Sequence, residues 1–208
     1  RQHMTKLGAL IAGTSAGARL ARLAMALLLT VLVGSSTAPQ PARAADPAVV
    51  YMSQVGRELM AAARARSPQM MTQVIQKHGD ITYIALYALG SYRSKLASAD
   101  KPDYYNGTAR WMGRYATSKV PEYQVARVEW SKESVRGGSG VMVDSTVTLR
   151  DGSTYEVRWL LSKVGGTYKV RDAMVMGFWM TPFLQKLFQD YVAENGGSVR
   201  ALTTVLNR

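Results

Sequence analysis

The strongest constraint on the fold is a stretch of alternating polar and apolar residues between Val141 and Met180. In its first part, valine and leucine recur at odd-numbered positions and polar side chains occupy most even positions as far as Arg150. A period of two places successive side chains on opposite faces of a strand. The alternation returns around Trp159 and again around Val170. The pattern predicts three antiparallel strands with one charged, solvated face and one apolar, aromatic face.

Turn signals separate these strands. Asp151-Gly152 predicts a type I′ hairpin turn, in which both central residues need a positive φ. Gly165-Gly166 predicts the second turn. A further strand is expected from Glu122 to Trp130, joined to the others by a loop over Lys132 to Gly140. The sequence therefore predicts a four-stranded antiparallel sheet.

Helix-start signals lie on both sides of the predicted sheet. A residue that can cap a helix stands before proline or before an apolar run, which is the pattern of a helix N-terminus. The predicted starts are Asp46-Pro47, Ser67-Pro68, Asp80, Lys101-Pro102, Thr181-Pro182 and Ser198. Four helices, four strands and two helices in that order predict an α+β fold, with helices banked on one face of the sheet around an apolar cavity.

Residues 1–44 have the pattern of a secretory signal peptide. Basic side chains precede a short apolar run, Leu23 to Val33, and a small-residue cleavage pattern follows at Ala42-Arg43-Ala44. The basic side chains are Lys6, Arg19 and Arg22. The run of 11 residues is too short to span a bilayer as a helix. We expect a mature chain that begins at Ala45, forms a single domain over 45–208 and is soluble in the periplasm; the alternative is an uncleaved membrane anchor.

The net charge of the chain limits the kinds of partner that it is expected to bind. The formal charge is +12, and the region from residue 45 onward has 21 basic and 14 acidic residues, which gives +7. The basic residues are scattered singly, without a run that interleaves aromatic side chains. This favours anionic lipid headgroups or acidic partners over nucleic acid. The absence of cysteine excludes disulfides, thiol catalysis and cysteine-bound metals.

Residues that could carry catalysis are sparse. His78 stands alone at a predicted helix end, where it is more typical of a dipole contact than of a catalytic group. Metalloprotease, serine-hydrolase, phosphate-loop and dinucleotide motifs are absent. An enzyme with the cone-shaped NTF2-like architecture remains an alternative, with Asp172 as its candidate acid or base. The position of Asp172 at a strand end favours a structural role, so we expect no enzyme activity, no metal and no cofactor.

Large apolar side chains are abundant instead. The chain has 11 Met, 11 Tyr, 4 Trp and 3 Phe. Each could be ordinary core, but methionine is also typical of surfaces that accept variable apolar ligands. We predict an elongated cavity between the inward sheet face and the third, fourth and fifth helices. The predicted ligand-binding residues are Tyr83, Leu86, Tyr87, Trp111, Tyr115, Val143, Val147, Val157, Trp159, Met174, Met176, Phe178, Trp179, Phe183 and Leu187.

Two segments resemble a known family. One is an aromatic-rich helix that ends in Leu-Gly and is followed by a tyrosine-rich helix, YIALYALGSYRSKLASADKPDYYNGTARWMGRYATS. The other is YKVRDAMVMGFWMTPFLQKLFQDYVAENGGSVRALTTVL. From Gly79 to its end, the chain resembles the toluene-tolerance, or MlaC, family of periplasmic phospholipid-binding proteins. The matching positions of the second segment are Tyr168, Val170, Asp172, Gly177, Phe188, Gly197 and Leu202.

The resemblance implies a monomeric carrier that holds phospholipid acyl chains in its cavity. Such a carrier shuttles lipid between an inner-membrane ABC transporter complex and an outer-membrane lipoprotein complex, and so supports outer-membrane lipid asymmetry. Two segments depart from the family pattern, Asn106 to Thr108 and Phe178 to Met180. Both bear on the shape of the pocket and therefore on the identity of the cargo. Relatives of this family are associated with hopanoid pathways, so the resemblance also implies a polycyclic lipid such as a hopanoid as an alternative cargo.

Overall fold

A computed structural model describes residues 44–208, and the structural statements below concern these residues. Apart from Ala44, the predicted signal peptide lies outside them. The six α-helices are α1 Pro47–Arg64, α2 Pro68–His78, α3 Ile81–Leu89, α4 Lys101–Lys119, α5 Met180–Glu194 and α6 Val199–Leu206. Two short 3-10 helices, Gly90–Lys95 and Ser98–Asp100, join α3 to α4. Within the described range, no helix is both long and apolar enough to cross a membrane.

The sheet has six antiparallel strands rather than the four predicted. They are β1 Val125–Trp130, β2 Val135–Gly137, β3 Gly140–Leu149, β4 Thr154–Val164, β5 Thr167–Val175 and β6 Phe178–Trp179. The hydrogen-bonded order is β1-β3-β4-β5-β6, and β2 pairs with the beginning of β3 beside β1. The predicted α+β fold class is confirmed, and the meander of β3, β4 and β5 forms the centre of the sheet.

The two unpredicted strands are short. β2 lies inside the predicted Lys132 to Gly140 loop and pairs Gly137 with Gly140. β6 forms because Met176 and Gly177 make a two-residue turn, with φ values of +51° and +84°. This turn brings Phe178 opposite Val175. Strands of three and two residues are too short to display a period of two, so the sequence pattern could not reveal them.

The two predicted turns have different geometries. Gly165 and Gly166 both have positive φ, +57° and +81°, as a two-residue type I′ turn requires. At the other turn only Gly152 has a positive φ, +88°, so the type I′ prediction for Asp151-Gly152 was wrong. There the Leu149 amide donates to the Ser153 carbonyl, and the Gly152 amide donates to the Leu149 carbonyl. This is a longer hairpin loop, in which one glycine is sufficient.

Local caps begin four of the helices as predicted. The side chains of Asp46, Ser67, Asp80 and Ser198 accept hydrogen bonds from amides in the first turns of α1, α2, α3 and α6. Helix α5 differs, because it begins at Met180 and its N-cap residue, Trp179, makes no capping hydrogen bond. Asp172 on β5 replaces the local cap and accepts from the Thr181 amide at 3.0 Å and from the Thr181 hydroxyl.

The buried side chains form two separate hydrophobic clusters. The sheet cluster packs α1 against β3 and β4 and contains Ala48, Met52, Val55, Val143 and Leu161. The helical cluster is built from α3, α4, α5 and α6 around residues such as Leu89, Tyr104 and Phe188. Helix α2 contributes only Met71 and His78 to the buried residues, and neither belongs to a cluster. The space between the clusters is therefore where a cavity can form.

Candidate functional site

An inner chamber of about 320 Å³ lies between the two clusters. Apolar side chains from α1, α2, α4, α5 and the sheet surround it, and none of its lining residues is exposed. Its polar lining is limited to His78, Arg171, Asp172 and Thr181. Its apolar lining includes Val55, Leu59, Met71, Val74, Ile75, Ile84, Met112, Trp159, Val170, Met180 and Leu184.

An outer chamber of about 650 Å³ continues from it toward solvent. Ile75, Met112, Ala116, Met180 and Leu184 line both chambers and form the waist between them. The outer chamber is bounded by the sheet residues Val125, Val147, Leu149, Tyr155, Val157 and Val175 and by the helix residues Trp111, Tyr115, Lys119, Phe183 and others. The two chambers therefore adjoin, and apolar side chains line most of both; the pair is called the cavity below.

Large apolar side chains stand at the mouth of the outer chamber. Met176, in the turn between β5 and β6, is 56% exposed, and Phe178, the first residue of β6, is 72% exposed. Phe183 and Tyr115 face them from α5 and α4 with ring centroids 6.3 Å apart, and the Tyr115 ring stacks on Trp111 at 5.0 Å. Solvent-exposed rings at the mouth of an apolar cavity mark an entrance for an apolar ligand.

The cavity brings together part of the predicted ligand-binding set. The outer chamber is lined by Trp111, Tyr115, Val147, Val157, Met176, Phe178 and Phe183, and the inner chamber by Trp159. Six of these eight residues come from strand positions with the predicted inward phase, from the apolar side of α4 and from the start of α5. Their membership follows from local periodicity, which is why the sequence could indicate them. Met176 and Phe178 lie instead in the turn before β6 and in β6.

Met174 and Trp179 lie on the other face of the sheet. Leu160 pairs with Asp172 and Leu161 pairs with Val170, so Arg171 is an extra residue that forms a β-bulge. A bulge changes the phase of the strand beyond it. Ala173 and Val175 therefore face the cavity, whereas Met174 pairs with Arg158 on the charged face, and Trp179 pairs with Met174. The inward phase predicted for Met174 was wrong because nothing in the local pattern signals the bulge.

The other predicted residues lie away from the cavity. Val143 is fully buried in the sheet cluster, and Leu86 packs on the helical cluster. Tyr83 and Tyr87 contact each other on the outer side of α3, where the Arg171 guanidinium lies 4.1 Å from the Tyr83 ring centroid. Leu187 is 40% exposed on α5 and does not line either chamber. From α3, only Ile84 reaches the cavity, so the predicted contribution of this helix was too large.

Sequence reasoning missed the wall formed by α2. Met71, Val74 and Ile75 share one side of this helix and all line the inner chamber. Their helical spacing was visible in the sequence, but nothing local indicated what that side would cover. Ala116 and Met180 at the waist were also missed, because a small residue and a residue at a helix start carry no periodic signal.

A polar network of side chains lies beside the inner chamber, near the end of α2. The buried His78 contacts Glu58 through Nε2 at 2.9 Å and the Tyr51 hydroxyl through Nδ1 at 3.1 Å. Hydrogen bonds from Lys77, His78 and Gln54 lower the pKa of Glu58 to about 2. Burial, with the nearby negative charge of Glu58, raises the pKa of Tyr51 to about 12. The contacts of this trio tie α2 to α1, and the raised pKa keeps the Tyr51 phenol protonated at neutral pH.

Asp172, the candidate acid or base of an enzyme, also has structural partners. Besides Thr181, it accepts a hydrogen bond from the Ala173 amide at 2.8 Å. Its neighbour Arg171 pairs with Asp80 at 2.9 Å, which joins β5 to the start of α3. Within residues 44–208, no group of three or more potential ligands could hold a metal ion. The carboxylate of Asp172 thus joins β5 to the start of α5.

Comparison with known proteins agrees with this geometry. Among solved structures, the fold is similar to that of the phospholipid-binding protein from Ralstonia solanacearum, which was solved in complex with a phospholipid. The TM-score is 0.62 at 20% sequence identity, and the match covers 78% of this chain and 96% of that one. No curated protein matches the chain. The model of the family described as MlaC protein matches residues 50–208, nearly the whole described region, and the chain therefore belongs to the MlaC family.

Proposed function

We propose that the protein is a lipid carrier that holds phospholipid acyl chains in the two-chamber cavity. The observation that carries this proposal is a pair of adjoining apolar chambers, which extend from a buried interior to an exposed aromatic rim and share five lining residues. Family membership and the phospholipid bound to the Ralstonia structure support it. The rim would leave the polar headgroup in water while the chains lie inside.

Physical chemistry explains why such a carrier is needed. A two-chain phospholipid exposes about 30 methylenes, and burial is worth about 0.8 kcal/mol for each. Free transfer through water would therefore be opposed by roughly 20 kcal/mol. A protein offsets this cost by offering comparable apolar surface, which the tyrosine, tryptophan and methionine side chains of the outer chamber supply.

We further propose that the carrier works in the periplasm between an inner-membrane ABC transporter complex and an outer-membrane lipoprotein complex. Membership of the MlaC family and the signal-peptide pattern of residues 1–44 support this location. The domain proposed to be exported comprises residues 45–208. N-terminal sequencing of exported protein tests the proposal: the first residue should be Ala45, and an exported protein that retains Leu23 to Val33 would contradict it.

The enzyme alternative has less support. The groups that could act as acid or base at the cavity, His78 and Asp172, already have their hydrogen bonds with Glu58, Tyr51 and Thr181. A hopanoid cargo would use the same apolar walls as an acyl chain. Identification of the extracted lipid by mass spectrometry distinguishes the two cargoes.

An obstruction at the waist tests the carrier proposal. Ala116 lines both chambers, so Ala116→Phe places a ring in the passage between them. We expect this variant to fold and to be purified with much less lipid than the wild type, as measured by native mass spectrometry. Ala193→Phe is the matched control, because Ala193 is exposed on α5 and does not line the cavity. Wild-type lipid occupancy in Ala116→Phe would contradict the proposal.

A further inference from the structure

A basic pocket of about 250 Å³ adjoins the outer chamber. It lies between the end of α1, the segment from α4 to β1, and the turn between β3 and β4. Arg64, Arg66 and Arg150 line it, and no carboxylate does. Its other lining residues are Met60, Ala63, Val120, Tyr123, Gln124 and Val125. We define this set as the arginine pocket.

The charge of the arginine pocket is not compensated by the protein. Within residues 44–208, none of its guanidinium groups forms an ion pair or a side-chain hydrogen bond. The acidic neighbours in sequence are engaged elsewhere. Glu122 pairs with Lys119 at 3.0 Å, and Asp151 accepts from the amide and hydroxyl of Ser153. Some other arginines of the described region are paired with a carboxylate; Arg158, for example, pairs with Asp144 at 2.7 Å.

The arginine pocket and the outer chamber share a wall. Tyr123 and Val125 line both of them, and Tyr123 is 42% exposed. An amphiphile whose chains occupy the outer chamber would therefore have a cluster of cations next to its polar end. Guanidinium groups match the oxygens of a phosphate with paired hydrogen bonds, which makes arginine well suited to this ligand.

We propose that the arginine pocket receives the phosphate of a lipid headgroup. Because the arginines also repel a cation carried by the headgroup itself, the cavity should prefer lipids with a net negative headgroup. This proposal rests on the lipid-carrier function proposed above and adds the headgroup class to it. Single exposed ion pairs contribute little, so the preference depends on several arginines acting on one phosphate. It should also weaken as salt is added, because the arginines are exposed and their field is screened.

Lipid competition tests this proposal. Delipidated protein is incubated with vesicles of phosphatidylglycerol or of phosphatidylcholine with identical acyl chains, and bound lipid is counted by native mass spectrometry. We expect the wild type to load phosphatidylglycerol about tenfold more strongly, a ratio within reach of a few charge-assisted hydrogen bonds. The variant R64Q/R66Q/R150Q should bring this ratio close to one, chiefly because it loads less phosphatidylglycerol than the wild type does.

A charge-matched control separates the pocket from overall charge. The variant R93Q/R136Q/R208Q removes the same number of exposed arginines that neither line the cavity nor form ion pairs within the described residues. It should keep the wild-type preference. If the pocket triple variant does not fold, R150Q alone replaces it, because Arg150 is exposed in a turn, and it should lower the ratio about threefold.

The outcomes separate this inference from the carrier proposal. Wild type that loads both lipids equally, or a pocket variant that keeps the preference, overturns the arginine-pocket proposal and leaves the carrier intact. Wild type that loads neither lipid contradicts the carrier function itself.

Free inorganic phosphate would make the same contacts with the arginines as a lipid phosphate does. The melting temperature is therefore also measured with inorganic phosphate at millimolar concentration. A melting-temperature rise with phosphate alone that the pocket variant abolishes, without any lipid preference, would assign the pocket to free phosphate and overturn the headgroup proposal.

Discussion

At the scale of single residues, two neighbouring aromatic side chains have opposite positions. Phe178 pairs with Val175 and lies at the cavity mouth, whereas Trp179 pairs with Met174 on the charged face of the sheet. Directly paired residues of antiparallel strands lie on the same face, and successive residues alternate. The pairing of β6 with β5 therefore decides which of the two rings can touch a ligand.

Replacement of Phe178 tests this assignment. We expect Phe178→Ala to weaken lipid retention and to cost much less stability than the roughly 3–5 kcal/mol of a buried aromatic, because the ring is 72% exposed. Trp179→Ala is the neighbouring control and should leave lipid retention unchanged. A lipid-loading assay and a thermal melt of delipidated protein give the two readouts. Retention that falls only in the Trp179 variant would contradict the assignment.

Glu58 makes the stability of the α1–α2 contact depend on pH. Its pKa falls from 4.5 to about 2 on folding, because Lys77, His78 and Gln54 donate hydrogen bonds to it. A depressed carboxyl pKa contributes stability that is complete above the unfolded pKa and is lost as pH falls toward the folded one. The free energy of unfolding of the wild type should thus exceed that of Glu58→Gln at neutral pH.

Denaturant unfolding of both proteins across the acid range measures this effect. The difference between them should be constant above pH 4.5 and should shrink as the pH approaches 2. Glu194→Gln is the control, because Glu194 is an exposed glutamate at the end of α5 and forms no ion pair within the described region. A difference that does not change with pH would mean that the contact does not depend on the charge of Glu58.

At the scale of secondary-structure elements, α2 is held against α4 by a close backbone approach. A Cβ atom on Gly113 would lie 2.9 Å from the Thr72 amide nitrogen and 3.0 Å from the Pro68 carbonyl oxygen, besides contacting the Thr72 hydroxyl. Propensity alone suggests that this glycine weakens α4. In the structure, the absence of a side chain at Gly113 lets α2, which lines the inner chamber, pack directly on α4.

Gly113→Ala therefore should destabilise the protein, although alanine is the better helix former. Propensity would add about 1 kcal/mol, but overpacking against backbone costs about 1–3 kcal/mol and displaces α2. We expect a net loss in chemical denaturation and reduced lipid occupancy from the same variant. Gly138→Ala is the control, since nothing lies within 4 Å of a Cβ atom there. A stabilised Gly113 variant would contradict the close-approach argument.

At the scale of the whole molecule, the two hydrophobic clusters are not packed into one continuous core. α1 and the sheet form one, α3 to α6 form the other, and the cavity occupies the space between. An apolar void of this kind forfeits packing contacts that its walls would otherwise make. A bound lipid chain would restore these contacts and connect the two clusters.

Removal of lipid should accordingly lower the melting temperature, and phospholipid should raise it again. A ligand that binds only the folded state at about 100 times its Kd stabilises by about 2.7 kcal/mol. Hydrogen exchange should show the largest gain of protection in α2 and in the start of α5, the walls that meet at the waist. Equal melting temperatures of loaded and delipidated protein would contradict the idea that the ligand completes the core.

Much of the architecture could be predicted because its signals are local. The alternation around Val147 and Val157 indicates strands and an inward face, and the caps at Asp46, Ser67, Asp80 and Ser198 begin helices where they stand. These patterns depend on residues a few positions apart, so the physical cause lies within the segment itself. The same local motifs carried the resemblance to the MlaC family, which is confirmed.

The composition of the cavity depended on contacts between distant segments. The bulge at Arg171 decides which face of the sheet carries Met174, and this bulge exists only in the pairing of β5 with β4. The first turn of α5 is capped by Asp172 on β5 rather than by a residue beside the helix. The α2 wall is placed by Gly113 on another helix. A one-residue change in pairing reverses the face of every later side chain, and such pairing is decided by tertiary packing rather than by the segment. The sequence by itself determined the helices, the longer strands and the family, and the tertiary structure decided which side chains line the cavity.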